Sequence, residues 1–132
     1  MRLLLAAAIL GLVGCSSQKQ VDNIALPFVN DPEVIGKWET VDFVRTPDDF
    51  KPGTKSWPEE LAVKDLVFSA EGKTSQVWTW TKGVLIHSGD KTASEYVIKS
   101  VGKTPYLFFQ WKSGDYIRHG KEPWYYVLRK AK

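Results

Sequence analysis

Glu95-Tyr96-Val97-Ile98-Lys99-Ser100-Val101-Gly102-Lys103-Thr104-Pro105-Tyr106-Leu107-Phe108-Phe109-Gln110-Trp111 reads as two runs rich in β-branched and aromatic residues on either side of a Val-Gly-Lys turn. Such side chains fit the pleated, half-buried surface of a sheet, and a glycine between two such runs supplies the bend of a hairpin. The same alternation extends outward in both directions. Strands are predicted at 36–45, 61–69, 73–81, 84–88, 93–100, 104–112, 115–118 and 123–130. Their junctions carry Glu71-Gly72, Lys82-Gly83, Ser88-Gly89-Asp90, Val101-Gly102-Lys103, Ser113-Gly114-Asp115 and His119-Gly120-Lys121. The predicted class is all-β. Eight consecutive strands joined by tight turns form a meander, and closure into a single eight-stranded antiparallel up-and-down barrel removes its unpaired edges. A two-sheet sandwich is the alternative, but it needs long crossovers, and the chain has one long connection. That connection is Thr46 to Pro58, where Pro47, Pro52-Gly53 and Pro58 interrupt any strand and a short helical turn is expected near Asp48-Asp49-Phe50.

Toward the N-terminus the pattern changes. Arg2 is followed by an apolar run, Leu3 to Gly14, that ends abruptly at Cys15-Ser16-Ser17-Gln18-Lys19-Gln20. The run is shorter than the roughly 20 residues of a membrane-spanning helix and has the form of a secretory signal peptide. Leu12-Val13-Gly14-Cys15 resembles the bacterial lipobox, which implies cleavage before Cys15 and attachment of lipid to its thiol. The predicted organisation is therefore a signal peptide at 1–14, a lipidated N-terminus and tether at 15–30, and the barrel domain at 31–132. The tether is expected to be partly disordered. Cys15 is the only cysteine, so no disulfide staples the fold. The net charge of +3 comes from interspersed acidic and basic residues and gives no footprint for nucleic acid. The expected location is extracytoplasmic and membrane-anchored through lipid: the outer membrane facing the periplasm in a two-membrane cell, or the outer face of the cytoplasmic membrane otherwise. A monomer is expected.

Gly36-Lys37-Trp38 opens the first strand and Trp124-Tyr125-Tyr126-Val127-Leu128-Arg129 forms the last. This pair resembles lipocalin-like proteins, and the resemblance implies that Trp38 closes the barrel floor beneath a basic residue of the final strand. Arg129 is the expected cap, with Lys130 the less favoured choice; a cation over an indole contributes about 0.5–2 kcal/mol. A longer stretch, Pro27 to Glu39, together with Trp78-Thr79-Trp80-Thr81-Lys82-Gly83 and Trp111-Lys112-Ser113-Gly114-Asp115-Tyr116, is similar to bacterial extracytoplasmic modules. These occur as lone lipoproteins and on membrane metallopeptidases that act as antibiotic-sensing regulators. That similarity implies ligand sensing outside the cell.

Six Trp, five Tyr and six Phe all follow Cys15, more than a core of this size requires. They either fill a solid barrel, line a pocket for an apolar or aromatic small molecule, or form a contact surface. Period-2 alternation groups Trp78 with Trp80, Leu107 and Phe109 with Trp111, and Trp124 with Tyr126. The candidate ligand-binding residues are Trp78, Trp80, Tyr106, Phe108 and Trp111, although Trp111 falls on the face opposite Tyr106 and Phe108, so one set must point outward. No catalytic arrangement stands out. His87 and His119 belong to no metal-ligand pattern, Asp48-Asp49 and Glu59-Glu60 are neighbours that point apart, and Ser56 and Ser69 lack a positioned base. The expectation is a non-enzymatic binding module without metal or cofactor, for a small apolar or envelope-derived ligand. The alternative is a structural lipoprotein with a filled barrel that contacts a membrane or cell-wall partner.

Overall fold

The structure, a computed structural model, describes residues 21–112 and 114–132. The expected signal peptide at 1–14 and Cys15 lie outside the described residues. Seven strands occur among the described residues: β1 (Gly36–Val44), β2 (Asp65–Phe68), β3 (Thr79–Thr81), β4 (Val84–His87), β5 (Thr92–Val101), β6 (Thr104–Trp111) and β7 (Trp124–Lys130). All pairings are antiparallel, in the order β2-β1-β7-β6-β5-β4-β3. The pairing of β7 with β1 joins the end of the domain to its beginning. The remaining gap lies between β2 and β3, where residues 73 and 74 bridge the two edges through Phe68↔Thr74 and Lys73↔Thr79. The result is a nearly closed barrel, which leaves little unpaired edge.

Two predicted strands are corrected. The segment read as strand 115–118 lies in a helix, α1 (Gly114–His119). Because β6 and β7 pair directly up to Trp111↔Trp124, the residues between them form an excursion outside the sheet. Arg118 and His119 complement the negative end of the helix, and Gly120, with φ of +66°, donates its N–H to the Tyr116 carbonyl and ends it. The barrel therefore has seven strands rather than eight. The predicted strand 73–81 is ladder-paired only from Thr79 onward. Before it, the segment keeps only isolated backbone bonds, such as the Ser75 N–H to the Val67 carbonyl at 2.9 Å, supplemented by side chains: the Thr74 hydroxyl donates to the Trp78 carbonyl at 3.0 Å and the Ser75 hydroxyl accepts the Val67 N–H at 3.0 Å. A 3-10 turn occupies Pro47–Asp49 within the long loop.

The interior is filled at one end. Trp38, Leu66, Phe68, Trp80, Leu85, Leu107, Phe109 and Leu128 are buried there in one cluster. Trp38 forms the floor: its indole N–H donates to the Val34 carbonyl at 2.9 Å, and a cation lies 4.9 Å from its ring centre. That cation is Lys130, not Arg129, which is exposed. The register decides this, because Trp38 pairs with Lys130 across the β1–β7 ladder while Arg129 pairs with Glu39. The Lys130 ammonium also donates to the Ile35 carbonyl at 2.6 Å. A Cβ at Gly36 would come within 3.1 Å of its side chain, so glycine there makes room for the cap.

Residues 21–30, the described part of the expected tether, run as a strap along the barrel wall. The Thr81 hydroxyl accepts the Val29 N–H and donates to the Pro27 carbonyl, and Lys82 donates its N–H to Val29. Phe28 packs edge-on against Trp80, with ring centres 5.2 Å apart, in space that a Cβ on Gly72 would invade.

Candidate functional site

Strand β1 contains a bulge, with the β1–β7 register shifting between Thr40 and Asp42. Without it, simple alternation from Trp38 would carry Asp42 into the barrel. With it, Phe43 joins the inner face beside Tyr126, and Asp42 falls on the outer face next to Val127. Asp42 is nevertheless completely buried. Its carboxylate accepts the Phe43 N–H at 2.8 Å, the Ser56 N–H on both oxygens at 2.9 Å, and the Trp57 N–H at 3.1 Å. The long loop is thus pinned to β1, and Trp57 is set at the open end of the barrel.

At that end lies a cleft of about 490 Å3. Its walls are Phe43, Trp111, Trp124 and Tyr126 from the strands, Trp57, Glu60, Leu61 and Ala62 from the loop region, and Tyr116, Lys121, Glu122 and Pro123 from α1 and the segment after it. The rings are mutually braced. Trp57 meets Phe43 and Trp124 edge to face at 5.3 and 5.8 Å, Phe43 stacks on Trp124 at 5.5 Å, and Trp111 stands against Tyr126 at 5.3 Å. Each such pair adds about 0.5–1.5 kcal/mol beyond its buried area, so the platform is formed before any ligand arrives. Burial pushes the Tyr126 phenol above its ordinary value, against the opposing effect of backbone bonds near Ala62 and Val63, and keeps it a neutral hydrogen-bonding group.

Trp111 connects this platform to Trp78 and His87, whose rings are 4.5 Å apart. Burial lowers the His87 pKa and favours the neutral imidazole. The His87 Nε2, together with the hydroxyls of Thr92 and Ser94 on β5, is buried without a hydrogen-bond partner among the described residues.

A second feature adjoins the cleft. Tyr116 donates to one oxygen of Asp22 at 2.8 Å, while Lys112 and the Ala93 N–H donate to the other at 2.8 and 2.9 Å. Burial works against the charge on Asp22, but these three bonds outweigh it and hold its carboxyl below the ordinary range. Burial and the bond to Asp22 raise the Tyr116 pKa.

Of the five candidate ligand-binding residues, only Trp111 lines the cleft. Trp78 stands beyond it. Trp80 is sealed in the core, its indole N–H donating to the Ser69 carbonyl at 2.9 Å. Tyr106 and Phe108 are the outward-facing set, buried with Val44 and Val127 under Phe50 of the long loop. Sequence reasoning missed Phe43, Trp57 and Tyr116 as site residues. It placed Trp124 and Tyr126 on one strand face but assigned them no site; their position at the chain's last turn into the barrel was the available signal.

Comparison of the chain with protein-family models, curated proteins and solved structures found no match. The geometry alone therefore carries the functional reading. Among the described residues, no group of three or more His, Cys, Asp or Glu side chains is arranged to hold a metal.

Proposed function

We propose that this chain is a lipid-anchored, extracytoplasmic binding module of lipocalin-like type, and that it takes a small, largely apolar ligand in the cleft at the barrel mouth without performing chemistry on it. The observation that carries this reading is the aromatic cleft itself. Its volume of about 490 Å3 falls within the range of small-molecule sites, roughly 300–1,000 Å3. Its strand-borne wall is aromatic, and its polar lining comes from Glu60 in the loop region, Tyr116 on α1, and Lys121 and Glu122 after it. The Trp38 floor beneath Lys130 supports the lipocalin-like assignment. The ligand site differs from the expected one: the lower barrel is filled, and the space lies above it.

A solvatochromic apolar dye titrated against the protein tests this. Binding is expected in the parent, weakened by about 1–3 kcal/mol when Trp124→Ala removes one wall of the platform. No dye binding by folded protein, or unchanged affinity in the variant, would refute the assignment. The filled lower barrel favours one alternative, a structural lipoprotein whose aromatic mouth contacts a wall or membrane partner.

A further inference from the structure

Buried polar atoms without partners are rare in folded proteins, yet the described residues hold four of them: Thr40 Oγ1, His87 Nε2, Thr92 Oγ1 and Ser94 Oγ. Three of the four share one place. Leu85 and Tyr96 belong to the inner core, so alternation turns His87, two residues after Leu85, to the same inner face as Ser94 and Thr92, two and four residues before Tyr96. His87 pairs with Thr92 and Leu85 pairs with Ser94 across the β4–β5 ladder. The imidazole therefore stands opposite one hydroxyl and diagonal to the other.

This patch adjoins the cleft. The His87 ring lies edge to face with Trp111 at 6.4 Å, and Trp111 is a wall of the cleft. Thr92 and Ser94 are wholly inaccessible to solvent and His87 nearly so. Trp111 is the ring placed to uncover them. Trp38 and Trp80 are tied by their indole N–H groups to the Val34 and Ser69 carbonyls, whereas the Trp111 N–H has no such bond among the described residues and its side chain is half-buried. A sealed polar group without a partner costs folding free energy, and a molecule that bonds to it relieves that cost.

The atoms of the patch narrow the occupant. A hydroxyl offers one donor and two acceptor sites, matching in number one imidazole nitrogen and two hydroxyls. An ion has no counter-charge there. Asp90 and Lys112 act on His87 with opposite sign, and the Lys112 ammonium is already bonded to Asp22 and the Ala93 carbonyl. We infer that the cleft has a polar inner end behind Trp111, and that its ligand is an aromatic or apolar molecule ending in an uncharged hydroxyl, which displaces the Trp111 indole and bonds to His87, Thr92 and Ser94. This inference rests on the proposed small-ligand cleft and names the chemistry of its ligand.

The test displaces the solvatochromic dye from the full chain with two probes of nearly equal shape, naphthol and methylnaphthalene, at neutral pH. The parent should bind naphthol about tenfold more tightly, the worth of a net hydrogen bond. Thr92→Val/Ser94→Ala should bring the two probes to within about twofold of each other and leave methylnaphthalene affinity unchanged, because only the bonds to the hydroxyl are lost. The same variant removes unpartnered hydroxyls, so its urea midpoint should equal or exceed the parent's. A lowered midpoint, or failure to fold, would mean that the hydroxyls already have a partner such as an internal water, and overturns the inference. Equal displacement by the two probes in the parent, displacement by neither, or a naphthol preference that survives in the double variant overturns the polar inner end and leaves the cleft standing. Folded parent that takes up no dye overturns the cleft reading and this inference with it.

Discussion

Replacing Asp42 offers a direct test of how the loop and cleft are built. The Asp42 carboxylate is inaccessible to solvent and accepts three backbone N–H groups, those of Phe43, Ser56 and Trp57. A hydrogen bond to a charged group contributes about 1.5–3 kcal/mol, so intact removal of all three would cost well above 4 kcal/mol. The loop can relieve part of this. Ser56 and Trp57 can lift into water and satisfy their N–H groups there, while the Phe43 N–H belongs to β1 and stays behind. Asp42→Ala should therefore cost about 2–4 kcal/mol, between one such bond and the full set. Asp42→Asn keeps the oxygen shared by all three donors but places an NH2 against the Ser56 N–H, so about 1–2 kcal/mol is expected for one lost bond. Urea unfolding gives these values, and dye titration gives a second readout. Because Trp57 is held in the cleft wall through this carboxylate, affinity should fall in both variants, more in Asp42→Ala. Stability within about 0.5 kcal/mol of the parent, the range of an ordinary surface change, together with unchanged dye affinity, would refute the pinning argument.

The barrel floor and the strap give two further expectations. Trp38→Ala should destabilise by about 3–5 kcal/mol, as large aromatic truncations in cores do, and its double-mutant cycle with Lys130→Ala should show a coupling of about 0.5–2 kcal/mol, whereas a cycle with Arg129→Ala should be additive. Asp22 has a lowered carboxyl pKa through its bonds to Lys112, Ala93 and Tyr116. Its contribution is fully present above the ordinary carboxyl value of about 3.9 and is lost as pH falls through the lower folded value. Amide exchange at Asp22 and Ala93, taken relative to the intrinsic rate at each pH, should therefore accelerate below about pH 4 in the parent. In Asp22→Ala it should be fast at neutral pH as well, and a strap equally protected in both proteins would exclude this clasp.

The all-β class and most hairpins were legible because their turns are written in glycines that the backbone needs. Gly72, Gly83 and Gly102 have φ of +83°, +84° and +67°, where side-chain-bearing residues are strained. The segment around Tyr116 was misread because Tyr and Ile favour strands, and a six-residue helix is too short to show a period. Only the direct pairing of β6 with β7 excludes it from the sheet.

The site was harder to read for a different reason. Alternation sorts the aromatic residues of β6 into two faces, Tyr106 and Phe108 against Phe109 and Trp111, but no local property says which face is inside. The outer set is as buried as the inner one, because Phe50 folds over it from a loop more than fifty residues away in sequence. In β1 alternation itself fails. Counting by twos from Trp38 puts Asp42 inside and Phe43 outside, an arrangement that would bury a carboxylate in an aromatic barrel. The bulge exchanges the two: Phe43 gains ring partners, and Asp42 gains the N–H groups of Ser56 and Trp57. The charge that would have been costly in the core thus becomes the clamp that brings Trp57 to the cleft. A single extra residue in β1 accordingly does two things at once, completing the floor of the platform with Phe43 and fixing the loop that supplies its opposite wall.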